Sequence, residues 1–363
     1  MPKYPNVRQR GTKRGKERWQ GYFKYKGVPY VKSGFNKPSE AYKWVYETRT
    51  ALDNGSYIDE SDITLQQFID DIYFPTYCHW RDTTKKIAIY NFTKYIIPYL
   101  GDYKVQEIKP YHIQKIVNSI EKKVSSKKAR AVLEALRTVL NVAVDKEEIL
   151  VRNPAKKIDL PKVTAPRRTV ISKEDMQKLI DSAYPRDSVI IAIAVYTGMR
   201  RGEIFALRWK DIDFKTGTIA VSKSLAEGVE VPTKTGETRT IPIHYDLRAI
   251  LSGWISISEK YLFLNQYGEQ LQAEKWSKDT FKKLLQKNGL STGIRFHDIR
   301  HSFITHALHD GMPLHEVQTL VGHKPQTITE GLYGQPTIEQ LKASINKLSF
   351  GKMSKRMSKT DSA

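Results

Sequence analysis

The stretch YTGMRRGEIFALRW, residues 196–209, places two arginines at a glycine turn that leads into a predicted helix. The N-terminus of a helix carries the positive end of its dipole and favours anions, so Arg200 and Arg201 are unexpected there. A bound phosphate would supply the missing negative charge. Glu203, three residues further on, could instead brace a guanidinium. The stretch alone therefore leaves a phosphate site and a structural ion pair open.

A second stretch, FHDIRHSFITHAL at residues 296–308, combines histidine with arginine. His297 and Arg300 are three residues apart, which places them on one face of a helix. An imidazole and a guanidinium side by side can bind one phosphate through several hydrogen bonds. His301 and His306 are expected off that face, in packing or surface positions. A metal site is the alternative, but neither an HExxH motif nor a cysteine pattern supports it.

Three further polar residues lie in settings that say little singly. Lys234, in VPTKTGETRTIPI, is at a predicted hairpin tip, where lysine is ordinarily exposed to solvent. His323 ends the segment LVGH, at a helix C-terminus whose dipole favours histidine. Tyr333 lies between two glycines near the end of the chain, and most tyrosines are packing residues with a wet tip. Their significance depends on their order along the chain.

The composition favours a nucleic-acid partner. The 363-residue chain carries a formal charge of +21 at pH 7, which indicates a polyanionic partner more than a particular fold. A soluble basic protein without such a partner is the alternative. No apolar run approaches the roughly 18 residues of a membrane span, and the N-terminus does not read as a secretory signal. Cys78 is the single cysteine, which excludes a disulfide framework and fits a reducing, cytoplasmic setting.

The most basic segment is at the N-terminus. Residues 1–37 hold eleven lysines and arginines against one acid, Glu17, a charge of +10. Residues 18–35 alternate at period two and predict strands. Residues 37–55 predict a helix with Ser39 as N-cap and Asn-Gly at its end. A DNA-reading module at 1–58 is expected, and a lysine-protected sheet face is the alternative. Its candidate DNA-binding residues are Arg8, Arg10, Lys13, Arg14, Lys16, Arg18, Lys24 and Lys26.

Helical periodicity then extends over residues 62–160 and predicts a bundle of four helices. Thr64 is expected to cap the first helix. The fourth, within residues 125–150, has apolar residues at helical spacing on one face, at positions 132, 133, 136, 139, 140 and 143. A basic linker with three prolines, residues 151–168, predicts a domain boundary.

The last domain, residues 167–350, is predicted to mix helices and strands. Ser172 and Asp175 form a capping box, and an apolar helix is expected over 187–196. The segment EIFALRW predicts a further helix. The segments TIAVSK and RTIPIH read as strands that flank the hairpin signal KTGE, and residues 351–363 as a disordered basic tail.

The order of these signals resembles the tyrosine recombinases, and within them a phage-type integrase. The motifs TGMRRGE, TKTGETRTIPI, FHDIRHSFITH, LVGH and TITEGLY follow one another across about 140 residues. The resemblance implies a multidomain, mainly α fold with small β elements. It has an arm-type DNA-binding domain, a helical core-binding domain and a mixed α+β catalytic domain. The sequence departs from many relatives in having YGQP where a small residue and a histidine follow the tyrosine, which leaves the packing of the C-terminal segment open.

The resemblance also implies the chemistry, which is DNA cleavage through a covalent 3′-phosphotyrosyl link followed by rejoining. It assigns the catalytic roles to Arg200, Lys234, His297, Arg300, His323 and Tyr333, with Glu203 and Asp298 in support. Neither a metal nor another cofactor is expected, because cationic side chains bind the phosphate. The expected partners are double-stranded DNA at core and arm-type sites, further copies of the chain in a tetramer, and an excisionase or host DNA-bending protein.

The resemblance places this activity in the cytoplasm of a bacterial host, at the nucleoid. A type IB topoisomerase, a non-catalytic DNA-binding regulator and a metal-dependent nuclease remain as alternatives.

Overall fold

The computed structural model describes residues 4–13, 16–163, 169–226, 228–232, 238–254, 261–323 and 336–350, apart from the side chains of residues 12, 13 and 16. The chain divides into two compact units, Met1–Ala165 and Pro166–Ala363. Each contains a separate hydrophobic core, formed by residues 65–158 in the first unit and residues 171–350 in the second. The predicted basic tail, residues 351–363, lies outside the described residues.

The first unit begins with an antiparallel sheet of three strands in sequential order. The strands are β1 Val7–Lys13, β2 Lys16–Tyr25 and β3 Val28–Phe35, and helix α1 Pro38–Asp53 follows them. Gly21 lets α1 approach the sheet, since a Cβ there would lie 2.7 Å from the Trp44 ring. The predicted strands and helix are confirmed, but Ser39 is not the N-cap. The helix begins at Pro38 behind Lys37, because the fixed φ of proline suits the first helical position.

The predicted bundle is confirmed in the rest of the first unit. Thr64 caps the first helix in a reciprocal box with Gln67, as expected. The helices are α2 Leu65–Gln67 with π-helical Phe68–Tyr77, α3 Asp82–Asn91 with π-helical Phe92–Ile96 and α4 Ile97–Leu100, then α5 Pro110–Lys123 and α6 Ser126–Asp145. The six apolar α6 positions predicted to share a face are all fully buried. Helical periodicity therefore identified the core-facing side of α6 correctly.

The second unit is mainly helical. Its helices are α7 Lys173–Ser182, α8 Pro185–Thr197, α9 Arg201–Phe205, α10 Tyr245–Ser252, α11 Ala273–Lys287, α12 Phe296–His309, α13 Leu314–Val321 and α14 Ile338–Ile345. The Ser172 cap of α7 is confirmed, since its Oγ accepts from Asp175 N at 3.0 Å. Apolar α8 lies in the core, and Gly198 ends it in the left-handed conformation. A Cβ at Gly198 would lie 2.4 Å from the Phe303 ring, so glycine allows both the turn and the contact with α12.

The strands of the second unit form two small sheets. β4 Ile212–Asp213, β5 Thr218–Val221 and β8 Arg239–Pro242 make one antiparallel sheet, and β6 Lys223–Ala226 pairs with β7 Val229–Pro232 in a separate hairpin. The two predicted strands are therefore present as β5 and β8, but sequence reasoning missed the hairpin between them. The KTGE signal lies outside the described residues.

Two further points concern the helices. The helix predicted for EIFALRW ends early, at Phe205, and a short 3-10 turn, Trp209–Asp211, follows. In the part of the chain that the structure describes, none of the helices combines the length and apolar character that crossing a membrane requires.

Candidate active site

Arg200 and Glu203 form the first part of the site, at the turn between α8 and α9. Arg200 is the N-cap residue of α9, and its backbone N donates to Glu203 Oε2 at 2.9 Å. Its guanidinium Nη1 donates to Glu203 Oε1, also at 2.9 Å. Glu203 is only 1% exposed, so this carboxylate both caps the helix and orients the arginine. Arg201 turns away and pairs with Glu274 at 2.6 Å.

Arg300 reaches the same place from α12. It is 3% exposed, and its Nη1 and Nη2 donate to the carbonyls of Gly198 and Val321, each at 2.7 Å. Burial and the neighbouring charge of Arg200 lower the pKa of Arg300 to about 9. The guanidinium therefore stays charged at neutral pH, although burial and the nearby positive charge disfavour its charged form. Such surroundings favour a bound anion.

His297 and His323 both lie near Arg300. His297 keeps an exposed surface as a whole residue, but the protein atoms around its ring, followed by the charges of His301 and Arg300, lower its pKa to about 4. Partial burial, then Arg300 and Arg200, also lowers the pKa of His323. Both rings are therefore neutral at pH 7, and each has one nitrogen that donates a hydrogen bond and one that accepts.

His301 belongs to this group, contrary to the expectation that it packs elsewhere. Its ring meets the His297 ring edge-on, with the centroids 4.7 Å apart, and its charge acts on both His297 and His323. The available signal was its position four residues after His297, which places both on one helical face. His306, by contrast, packs as expected, with its Nε2 2.8 Å from the Ile171 carbonyl.

Arg239, on β8, is a residue at the site that sequence reasoning missed. Its Nη1 and Nη2 donate to the two oxygens of Glu203 at 3.1 and 2.7 Å, and its Nε donates to the Leu320 carbonyl at 2.9 Å. An arginine within a strand segment carries no local signal of a partner 36 residues earlier. Arg200, Arg239 and Arg300 are called the arginine cluster below.

The remaining predicted site residues are placed as follows. Asp298 is buried and binds Arg295, accepting from its backbone N at 2.9 Å and its Nη2 at 2.8 Å, which fixes the start of α12. Lys234 and Tyr333 lie outside the described residues. Within the described ranges, no group of three or more acidic, histidine or cysteine side chains is arranged to hold a metal ion.

The N-terminal sheet carries a second candidate interface on the face turned away from α1. Gln20, which is 3% exposed, accepts on its Oε1 from the Nε atoms of Arg8 and Arg10 at 2.7 and 2.9 Å. The Arg8 guanidinium also lies 4.8 Å from the Tyr22 ring centroid. Both arginines are thus held through Nε, and within the described ranges the four Nη hydrogens of each are kept for a further acceptor such as guanine or phosphate.

The other predicted arm residues are less uniform. Arg18 turns to the Gly34 carbonyl and Asn36, while Lys24 and Lys26 are exposed. Arg14 lies outside the described residues, as do the side chains of Lys13 and Lys16.

Comparison with known proteins identifies the family of this chain. The model of the phage integrase family matches residues 169–339, and that of the phage integrase central domain matches residues 76–160. A XerC-like tyrosine recombinase of Caldanaerobacter subterraneus subsp. tengcongensis is 28% identical over 349 residues, which covers 82% of this chain and 85% of that protein. The ICEBs1 integrase of Bacillus subtilis is 28% identical over 312 residues, which covers 76% of this chain and 83% of that protein.

Solved structures show the same fold. The Tn1549 transposon integrase in complex with a circular intermediate DNA has a TM-score of 0.63 at 21% identity, covering 79% of this chain and all of that one. A λ integrase tetramer bound to a Holliday junction has a TM-score of 0.60 at 19% identity, covering 90% of this chain and 98% of that one. These similarities confirm the mainly helical recombinase fold. The two family models together match 70% of the chain, and the protein belongs to the phage integrase family of tyrosine recombinases, the enzymes of site-specific DNA recombination.

Proposed function

We propose that this recombinase binds the scissile phosphate of its DNA at Arg200 and Arg300 and attacks it with Tyr333. The convergence of Arg200, Arg300 and His323 carries the proposal, because it brings together groups from the α8–α9 turn, α12 and the end of α13. Within the described part of the chain, only part of each guanidinium is engaged: Arg200 uses Nη1 and Nη2 once each, as does Arg300. Each of these guanidiniums therefore has hydrogens to spare for a phosphate oxygen.

The proposed first step exchanges one phosphoester for another. Tyr333 Oη bonds to phosphorus, the bond from phosphorus to the 5′ oxygen breaks, and the protein holds the DNA as a 3′-phosphotyrosine. The proton of the phenol passes to His297 or His323, both neutral at pH 7, and Lys234 gives a proton to the departing 5′ oxygen. A 5′-hydroxyl of a different strand then reverses the step and releases the tyrosine.

The arginine cluster supplies the electrostatic part of this mechanism. Negative charge on the non-bridging oxygens grows as phosphorus becomes five-coordinate, and preorganised donors at such positions are usually the largest single contribution. Because the guanidiniums are already held by Glu203 and backbone carbonyls, little reorganisation is needed when the charge develops. This assignment requires no metal ion and no nucleotide, since the phosphotyrosine retains the energy of the phosphodiester.

The other parts of the chain serve DNA recognition in this proposal. Residues 62–160 and 167–350 bind a core site, and residues 1–58 bind a separate arm-type site through the face that carries Arg8 and Arg10. Two structural neighbours support a DNA partner and an oligomer, because one is an integrase bound to DNA and the other is a tetramer on a Holliday junction. We infer the same tetrameric state, an integrating or excising role for a mobile element such as a prophage, and action at the bacterial nucleoid.

The decisive experiment is covalent trapping on a nicked suicide substrate that carries the core site. Tyr333→Phe should form no protein–DNA adduct on denaturing gels while it binds the DNA as tightly as the wild type. Tyr267→Phe is the matched control, since Tyr267 lies in the same unit and is 78% exposed. An adduct that persists in Tyr333→Phe would exclude this tyrosine as the nucleophile.

A further inference from the structure

Helix α13 ends on three guanidinium groups. The carbonyls of Leu320, Val321 and Gly322 accept in turn from Arg239 Nε at 2.9 Å, Arg300 Nη2 at 2.7 Å and Arg200 Nη2 at 3.0 Å. The last carbonyls of a helix have no intrahelical partner and lie at the negative end of its dipole. Each member of the arginine cluster therefore satisfies one of them.

His323 directly follows this end of α13. Gly322 adopts the left-handed conformation, with φ 67°, and the His323 N donates back to the Gln318 carbonyl at 3.0 Å. A Cβ on Gly322 would lie 3.1–3.2 Å from Nη1, Cδ and Cζ of Arg239. Arg239 thus packs directly against the glycine at which the chain turns into His323.

Arg239 differs from its two neighbours in where its hydrogen bonds go. All three of its nitrogens donate to protein acceptors, two of them to the oxygens of Glu203, and its side chain is 12% exposed. Glu203 Oε1 accepts from Arg200 as well. Arg239 is therefore bound on one side to the carboxylate that orients Arg200 and on the other to the helix end that carries His323.

We propose that Arg239 is a positioning residue, which holds Arg200 through Glu203 and His323 through the end of α13 without contacting the DNA phosphate itself. The inference rests on the proposed roles of Arg200 and His323. A purely structural ion pair is the competing explanation, because a buried carboxylate also needs a cationic partner to fold. The two explanations differ in whether folded, DNA-bound enzyme has a normal cleavage step.

Arg239→Lys tests this difference. Lysine keeps the charge but cannot span two carboxylate oxygens and a carbonyl. The matched control is Arg186→Lys, because Arg186 also binds a buried carboxylate, that of Asp187, and one backbone carbonyl, that of Leu264. Arg186 lies near the start of α8, and Gly198 follows its end, about 18 Å away along the helix.

The measurement is single-turnover cleavage of the suicide substrate at saturating protein, with core-site affinity and thermal midpoint determined in parallel. Arg239→Lys should cleave about 10- to 100-fold more slowly, the scale expected when a reacting group is misplaced by about 1 Å. Its core-site affinity should stay within about threefold of that of Arg186→Lys. Arg186→Lys should cleave at the wild-type rate.

A pH profile gives a second readout that a structural role would not move. Burial by itself raises the pKa of Glu203, but hydrogen bonds from Arg239 and then Arg200 outweigh it and hold the pKa below its usual range. Among the residues that the structure describes, the charged groups around Glu203 are Arg200 at the N-cap of α9, Arg239 of β8 and Arg300 of α12. Arg239→Lys weakens these hydrogen bonds, so Glu203 should take up a proton at higher pH. The acid limb of the cleavage rate should therefore move to higher pH.

Three results would overturn the inference. The first is a wild-type rate and pH profile in Arg239→Lys. The second is a reduced active fraction that, by active-site titration, cleaves at the wild-type rate. The third applies if Arg239→Lys does not fold. Gly322→Ala leaves Arg239 in the chain but crowds it, and this variant should then slow cleavage about tenfold while core-site affinity is retained. A wild-type cleavage rate in Gly322→Ala would refute the proposal. An adduct in Tyr333→Phe would instead refute the proposed function.

Discussion

Arg300→Gln is expected to remove fast cleavage while it leaves the catalytic unit nearly as stable as the wild type. Arg300 makes two buried hydrogen bonds, to the Gly198 and Val321 carbonyls. Hydrogen bonds of a charged group are worth about 1.5–3 kcal/mol each, so their loss costs about 3–6 kcal/mol. The lowering of the Arg300 pKa to about 9 by burial and by Arg200 corresponds to roughly 4–5 kcal/mol against the charged form.

These two contributions oppose each other, so the net change in unfolding free energy should lie within about 2 kcal/mol, inside the ordinary range for substitutions. Cleavage should nevertheless slow by about 100- to 1,000-fold, because a donor to the phosphate oxygens is lost. Arg300 is thus predicted to add much to the reaction and little to the fold.

Glu203→Gln is the contrasting variant, because it is expected to change stability strongly. Glu203 is 1% exposed, and its carboxylate is the acidic partner of Arg200 and Arg239. Loss of one partner from a buried ion pair lowers the free energy of unfolding by about 3–5 kcal/mol. Urea unfolding of the full chain, followed by tryptophan fluorescence, should show a transition that Glu203→Gln shifts strongly and Arg300→Gln only slightly. Equal shifts in the two variants, or near-normal cleavage by Arg300→Gln, would refute this reasoning.

Two further predictions concern parts of the chain beyond the arginine cluster. Lys234→Ala should cleave normal DNA about 100- to 10,000-fold more slowly, as expected when a general acid is lost, but a 5′-phosphorothiolate substrate at nearly the wild-type rate, because a thiolate can leave unprotonated. Equal slowing on both substrates would make His297 the better candidate for the acid. Removal of residues 1–60 should preserve cleavage at the core site and reduce recombination on long substrates. The full chain should bind arm-site DNA with an affinity that falls steeply with salt, and the truncated chain should lose this affinity. Unchanged recombination after this truncation would contradict the two-site proposal.

Local chemistry explains those structural features of the candidate site that follow from the sequence. The turn at Gly198, the spacing of His297 and Arg300 on one helix, and the glycine before His323 each depend on residues within a few positions of one another. Such features follow from helix periodicity and from the backbone freedom of glycine. The same holds for the buried face of α6.

What could not be predicted depends on contacts between distant segments. Arg239 is identified by partners 36 and 81 residues away, which no local pattern encodes. The β6–β7 hairpin was missed because the glycine signal in KTGE pointed to a different turn. Helix α9 ends early, and at its end Ala206 N is shared between the Gly202 and Glu203 carbonyls, a bifurcated bond that is common at helix termini.

The arginine cluster leads to a last prediction, that the site binds a free anion in the absence of DNA. Arg200, Arg239 and Arg300 lie around one carboxylate, Glu203, and His297 and His323 have lowered pKa values that keep them neutral at pH 7. The carbonyls of α13 offset this excess of positive charge only in part, because a helix terminus carries about half an elementary charge. Vanadate, as a phosphate analogue, should therefore stabilise the catalytic unit by about 1.4 kcal/mol at a concentration ten times its Kd. The shift should be seen as a raised thermal midpoint, should be matched in Tyr267→Phe, and should be lost in Arg300→Gln, which keeps the fold but removes one of the charges. A vanadate shift of the same size in Arg300→Gln would show that the anion binds elsewhere and that the excess charge at this site is already neutralised by the protein.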